Sequence, residues 1–273
     1  MEHQDITYAK EAGIATITLN RPDKMNALTP GMFEGIYRWM EESTKDDEVK
    51  VIVITGTGRA FSSGADVAAM ANMANQPQNP PEPQTRTPRV HLALLIQNCG
   101  KPVIAAMNGV AVGVGLDLAL ACDIRIASDR AQLCEGYIRR GMLPAAGSAY
   151  FLPRLVGIDR ALLISWTADM IDAREAEKIG LVTMVVPHEE LASATRELAE
   201  KLAQGPTIAV QKTKRAIYDS LAMDLKTSLD YTAAVRRDLL KSQDFKEGTT
   251  SFVEKRAPVF KGEQIQQSPP NTD

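Results

Sequence analysis

Val103-Ile104-Ala105-Ala106-Met107-Asn108-Gly109-Val110-Ala111-Val112-Gly113-Val114-Gly115-Leu116-Asp117-Leu118-Ala119 is the stretch that decides how this chain reads. Its first five residues are a short apolar strand. Glycines follow, which permit tight turning and close backbone approach. Residues 113–121 are small and apolar, with room for two or three helical turns, and Ile124-Arg125-Ile126-Ala127 is a further strand. Strand, glycine turn, short helix and strand predict an α/β chain with mostly parallel pairing. The first N–H groups of a helix are unpaired and partly positive, so they suit a developing anion. Asp117 lies three residues beyond Val114, about one turn on and on the same face. A backbone donor and a carboxylate converge there, the pairing that stabilises an oxyanion while a proton moves. The same residues also read as a glycine-rich packing site with Asp117 in a structural ion pair. The glycines do not fit the G-x-G-x-x-G spacing of a dinucleotide site.

Working outward, Ile14 to Leu19 alternates as a strand and stops at the turn cluster Asn20-Arg21-Pro22-Asp23. Thr29-Pro30 opens a helix to about Lys45. Residues 49–55 form a β-branched strand ending in Gly56-Thr57-Gly58, and residues 181–186 form a later one. After the glycine turn comes Ala60-Phe61-Ser62-Ser63-Gly64-Ala65-Asp66-Val67, whose backbone N–H completes a two-donor hole with that of Val114. Asp66 reads first as the N-cap of a helical run over 67–74. Residues 76–88 hold five prolines and almost nothing apolar, so they are expected as a loop inserted near this turn, in the place of a lid. From residue 189 the pattern is helical throughout: 189–204, 206–220, 224–241 and 245–255. The expected organisation is a core over 1–195, a helical region over 196–262 and a disordered tail over 263–273.

Composition narrows the function classes. A chain of 273 residues buries roughly three-quarters of the surface exposed on unfolding, so its core needs no disulfide or metal staple. A formal net charge of −3 argues against a protein that coats nucleic-acid phosphates. No apolar run approaches the length of a membrane span. The start, Met1-Glu2-His3-Gln4-Asp5, lacks the basic cap and apolar stretch of a secretory signal, and a cytoplasmic location is expected. Cys99, Cys122 and Cys134 sit in or beside apolar segments with no C-x-x-C, so they read as buried thiols, with no metal site. His188 is expected in an exposed turn. His91 begins the helix after the proline-rich segment and reads as helix surface or as a residue pointing into the pocket.

Several short motifs then occur in a fixed order. They are Asn20-Arg21-Pro22 with Asn26-Ala27-Leu28, the Ala60 to Asp66 turn, and Asn108 to Asp123. Pro144-Ala145-Ala146-Gly147 follows with Leu152-Pro153-Arg154-Leu155-Val156-Gly157. Ala173-Arg174-Glu175-Ala176 with Gly180-Leu181-Val182, and Phe252-Val253-Glu254-Lys255-Arg256, complete the series. In this order, from about residue 6 to 262, the chain resembles the crotonase, or enoyl-CoA hydratase/isomerase, superfamily. The resemblance implies a spiral of ββα units and a C-terminal helical region that builds a trimer or a dimer of trimers. It implies an acyl-CoA thioester as substrate, with coenzyme A as part of the substrate and no metal or redox cofactor. The thioester oxygen would be held by the N–H groups of Ala65 and Val114, valine standing where the family usually has glycine. CoA would lie along main-chain atoms of Ala65, Asp66, Val67 and Ala68 and of the loop at Lys24, Met25, Asn26 and Ala27. Phe252 and Lys255 would cover the nucleotide.

The catalytic positions depart from the hydratase pattern. Asp117 stands where hydratases carry glutamate and dienoyl-CoA isomerases carry aspartate, and the second hydratase glutamate maps onto Tyr137. A phenol with an ordinary pKa near 10 donates a hydrogen bond but is a poor base at neutral pH. The further isomerase aspartate maps onto Ala145. Glu135, two residues before Tyr137, reads either as a catalytic group or as a loop carboxylate. The leading expectation is an acyl-CoA lyase or isomerase that stabilises a thioester enolate, with Asp117 as acid/base and Tyr137 as donor, in fatty-acid metabolism. Hydrolysis of an acyl-CoA or of a C–C bond, or decarboxylation, on the same scaffold is the second reading, and a non-catalytic binding subunit the third.

Overall fold

The computed structural model describes residues 5–66 and 91–262. The expected helical run 67–74, the segment 76–88 and the tail lie outside them, as do the two CoA-binding candidates Val67 and Ala68.

Two sheets form the core. The larger runs β1 (Ile6–Glu11), β2 (Ile14–Leu19), β3 (Val51–Gly56), β5 (Val103–Met107), β7 (Ile124–Ser128) and β10 (Met184–Val186), in that order across the sheet. Only β1 and β2 pair antiparallel; the remaining neighbours are parallel. The smaller sheet runs β4 (Ala60–Ser62), β6 (Val110–Val112), β8 (Gln132–Cys134) and β9 (Ile171–Asp172). The pairs β3/β4, β5/β6 and β7/β8 each send their first strand to the large sheet and their second to the small one. This repeated step is the spiral of ββα units, and helices follow each pair. β3 and β5 are apolar along their length because central parallel strands are covered on both faces.

The helices explain themselves locally. In α1 (Pro30–Lys45) the Thr29 hydroxyl accepts the Met32 N–H at 3.2 Å, a cap that contributes about 1 kcal/mol, and Pro30 fits the first turn. Its face Met32, Ile36 and Met40 is buried against the sheets, and Trp39 stacks on Tyr8 with ring centroids 4.3 Å apart. The later helices are α2 (Leu92–Asn98), α3 (Val114–Ala121), α4 (Ser148–Val156), α5 (Ile158–Thr167), α6 (Ala173–Lys178), α7 (Leu191–Ala203), α8 (Thr207–Ser220), α9 (Leu225–Leu239) and α10 (Gln243–Glu254). The outer face of the large sheet, with Ile14, Val53, Ile104 and Ile126, packs under Leu191 and Ala199 of α7. Residue 195, the expected limit of the core, falls inside that helix.

Three expectations need adjustment. The strand expected over 181–186 is only Met184–Val186, because the amides of Leu181 and Val182 both donate to the Ala176 carbonyl at the end of α6. The helix expected from residue 245 begins at Gln243, since the Ser242 hydroxyl caps it by accepting the Phe245 N–H. His188 is half-buried and not an exposed turn residue: its Nδ1 lies 3.0 Å from the Ser128 hydroxyl. The three cysteines are buried and unpaired, as the sequence implies.

Two buried amides fix the turn that leads to the site. Asn26, at φ 54°, donates from Nδ2 to the carbonyls of Thr57 and Ala60 and accepts the Arg21 N–H. Asn108 donates to Gly58 and Ala60 and accepts the Gly56 N–H. A side chain at Gly56 would come within 2.5 Å of the Ala60 carbonyl oxygen, so the clamp needs glycine there.

Candidate active site

Between β6 and α3 the chain turns at Gly113 (φ 51°), whose own N–H donates to the Cys134 carbonyl at 2.8 Å. Val114 is the first residue of α3, so its N–H has no intrahelical acceptor. The segment 63–66 runs beside this helix start. Gly64, at φ 94°, would place a side chain 2.7 Å from the Val112 carbonyl oxygen and 4.0 Å from the Val114 nitrogen, so only glycine lets the two segments approach. Leu28 bridges to Ala65 in parallel: its N–H donates to the Gly64 carbonyl and its carbonyl accepts the Asp66 N–H. That pairing turns the Ala65 N–H to the side away from Leu28. A cavity of about 90 Å³ lies here, lined by Gly64, Ala65, Gly113, Val114, Tyr137 and Met142 among others. A larger cavity, about 520 Å³, lies on the other face of the large sheet beside α7 and contains none of the expected site residues.

An acid cluster abuts the small cavity. Asp117 is 1% exposed, in the first turn of α3. One carboxylate oxygen, Oδ1, accepts the Ser148 N–H at 2.7 Å and also contacts the Ser148 hydroxyl. The other, Oδ2, accepts from the Tyr137 hydroxyl. Glu135 is fully buried; its Oε1 lies 2.6 Å from the same Ser148 hydroxyl, and its Oε2 has no partner. Burial pushes the Asp117 carboxyl above its ordinary range, while the bonds from Ser148 and Tyr137 pull it back. Glu135 is pushed up to about 8, first by burial and then by the Asp117 charge. Burial and the same charge raise the Tyr137 phenol, which stays protonated and donates.

The structure therefore brings Ala65, Val114, Asp117 and Tyr137 together, as the sequence implies. Glu135 also belongs to the cluster, which the sequence left open. Ser148, the centre of it, was missed. Its signal is weak: a serine directly after Gly147 at a helix start, 31 residues from the carboxylate it touches. Ala145 contributes no carboxylate, and His91 is exposed at the start of α2, making no side-chain cap.

The two segments expected to carry CoA do meet. The Met25 carbonyl accepts the Ser63 N–H at 2.9 Å, and the Ala27 carbonyl accepts from Arg21, whose guanidinium also reaches Asp66 at 3.3 Å. Lys24 is exposed beside them. Phe252 is 85% exposed and Lys255 ends α10; no hydrogen bond or shared cavity among the described residues joins them to this site. Among the described residues no cluster of three or more histidine, cysteine or acidic side chains is arranged to hold a metal, and no helix is long and apolar enough to cross a membrane.

The sequence matches the family model described as Enoyl-CoA hydratase/isomerase over residues 9–264. It is 35% identical to crotonyl-CoA hydratase of Syntrophomonas wolfei over 261 residues, covering 95% of this chain and 99% of that one. It is 33% identical to 1,2-epoxyphenylacetyl-CoA isomerase of Escherichia coli, covering 92% and 96%. The fold is similar to the crystal structure of an enoyl-CoA hydratase from Bacillus anthracis, with a TM-score of 0.85, 33% identity, and 95% and 100% of the two chains covered.

Proposed function

Because the chain belongs to the enoyl-CoA hydratase/isomerase family, we propose that it binds an acyl-CoA thioester with the thioester oxygen between the N–H groups of Ala65 and Val114. Drawing charge onto that oxygen makes the α-carbon acidic and the β-carbon of an enoyl group electrophilic. Asp117 is the acid/base: it takes a proton from water or carbon and returns it to the acyl chain, and Tyr137 supplies the neighbouring donor. In hydration the water oxygen bonds to the β-carbon and the proton goes to the α-carbon. In isomerisation the proton leaves one carbon of the allylic system and returns to the other. CoA lies along Met25 and Ala27 and the main chain of Ala65 to Ala68. In a trimer or a dimer of trimers, Phe252 and Lys255 cover the nucleotide. Fatty-acid metabolism in the cytoplasm and chemistry without metal or redox cofactor complete the reading.

One observation carries it: a buried carboxylate held by Tyr137 at the edge of the cavity where the Ala65 and Val114 segments converge. Isomerisation is the second reading on the same geometry. Both oxygens of Asp117 already have donors, so a proton from water or from carbon must reach the remaining lone pair of Oδ2 beside the Tyr137 hydroxyl.

The test is wild type and Asp117→Asn against crotonyl-CoA and a longer trans-2-enoyl-CoA, followed by the absorbance of the conjugated thioester. Wild type removes it, and the variant is slower by about two or more orders of magnitude. A gain of that absorbance from a 3-enoyl-CoA, with trans-2-enoyl-CoA left unhydrated, assigns isomerisation. Release of free CoA assigns thioester hydrolysis, and binding without turnover of any of these overturns the proposal.

A further inference from the structure

The Ser148 hydroxyl touches two carboxyl groups with one proton to give. It lies 2.6 Å from Glu135 Oε1 and in hydrogen-bond contact with Asp117 Oδ1. If both acids were ionised, one of these contacts would set an oxygen lone pair against an anion inside the protein. One carboxyl must therefore hold a proton. Asp117 has the Ser148 N–H, the Ser148 hydroxyl and Tyr137 aimed at it, and the Ala146 N–H acts on it as well. Glu135 has Ser148 alone, and its other oxygen is buried without a partner. The charge belongs on Asp117 and the proton on Glu135.

We propose that Glu135 is a positioning residue that keeps its proton and donates through Ser148 to Asp117, so that a single shared proton holds Asp117 as the ionised member of the pair. The bonds then run one way: Glu135 to the Ser148 oxygen, Ser148 to Asp117 Oδ1, and Tyr137 to Oδ2. Among the described residues no cation forms an ion pair with either acid. Cys134 ends β8 just before Glu135, and the guanidinium groups of Arg139 and Arg140 turn to the carbonyls of Ala168 and Gly136. The charge that acts on Glu135 is that of Asp117 from α3, and a charge on Glu135 would in turn raise the Tyr137 phenol of its own loop and the Cys134 thiol of β8. When Glu135 ionises at alkaline pH, the Ser148 hydroxyl can serve only one anion, a second negative charge faces Asp117, and its hold weakens to the Ser148 N–H and Tyr137. This inference rests on the reading of Asp117 as acid/base for its kinetic consequence, but the proton itself is a property of the resting protein.

The experiment is infrared spectroscopy of the full-length protein without substrate, titrated from about pH 6 to about pH 10. The carbonyl stretch of a protonated carboxyl is expected at neutral pH and is lost with a midpoint near 8. It is absent in Glu135→Gln. In Asp117→Asn it persists, with a lower midpoint because a neighbouring negative charge is gone, and this second variant decides the matter should the first not fold. The kinetic arm compares Glu135→Ala with Glu135→Gln, whose amide still donates to Ser148. Alanine lowers kcat about tenfold, glutamine restores most of it, and the alkaline limb of the wild-type profile moves up by about a unit or more in the glutamine variant. Absence of the acid band in wild type, or its survival in Glu135→Gln, overturns the proposal whatever the enzyme turns over. An alkaline limb that stays in place in Glu135→Gln reduces Glu135 to a packing residue.

Discussion

The two ends of the short helix α3 bury charge in opposite ways. At its C-terminal end every charge is answered. Asp123 accepts from Lys214 at 2.8 Å, from the Tyr218 hydroxyl at 2.9 Å and from the Val103 N–H at 2.7 Å. Arg125 donates to the carbonyls of Cys122 and Leu181, where the helix dipole favours a cation. This end ties α8 and the turn after α6 to the large sheet. At the N-terminal end two acids share one hydroxyl, no cation among the described residues pairs with either, one carboxyl oxygen has no partner, and a cavity opens beside them. The matched end is architecture, and the unmatched end beside the cavity is where the proposed chemistry sits.

Breaking the matched end should cost stability. Lys214→Met leaves the half-buried Asp123 with its principal cation gone, a loss of up to about 3 kcal/mol in denaturant unfolding. The turnover of the molecules that remain folded should be unchanged. A comparable loss of turnover would mean that the two ends are not separate in function.

The unmatched end should show the reverse sign. Glu135 binds its proton more tightly folded, near 8, than unfolded, near 4.5. Its contribution therefore favours the folded state below the unfolded value and is lost as pH rises through about 8. Glu135→Gln removes that dependence, so its stability relative to wild type should rise with pH across this window, by on the order of a few kcal/mol at most. Unfolding curves at several pH values check this, and a difference that does not vary with pH would contradict it. The smallest effect is expected at Tyr137→Phe. Its removal takes one donor from Asp117 and should lower kcat about tenfold with KM less affected. A change in KM alone would place the phenol on the substrate and not on the carboxylate.

How legible these two ends were in the sequence differs too. The strands β3, β5 and β7 and the helices α1 and α8 follow from β-branched runs, Pro and Thr caps and apolar periodicity, all local signals. Asp117 and the turn at Gly64 were legible because the glycines that admit close backbone approach are printed in the chain. Ser148 was not, because its contacts with the two acids are made only when α4 folds back on α3. Glu135 was ambiguous for the same reason: a carboxyl reads alike on a loop surface or in a core until burial and its neighbour are known. The strand expected from Leu181 failed where the end of α6 claimed its amides, a competition that periodicity does not register.

The central claim is that a thioester oxygen is polarised by the main-chain donors at Ala65 and Val114. Infrared spectra of bound crotonyl-CoA, carbon-13 labelled at the thioester carbonyl, test it directly in the Asp117→Asn variant, where turnover is slow. A shift of the carbonyl stretch to lower wavenumber on binding is the predicted result, since the donors are backbone and survive the substitution. Saturating binding with the carbonyl stretch unmoved from its position in water would contradict the account.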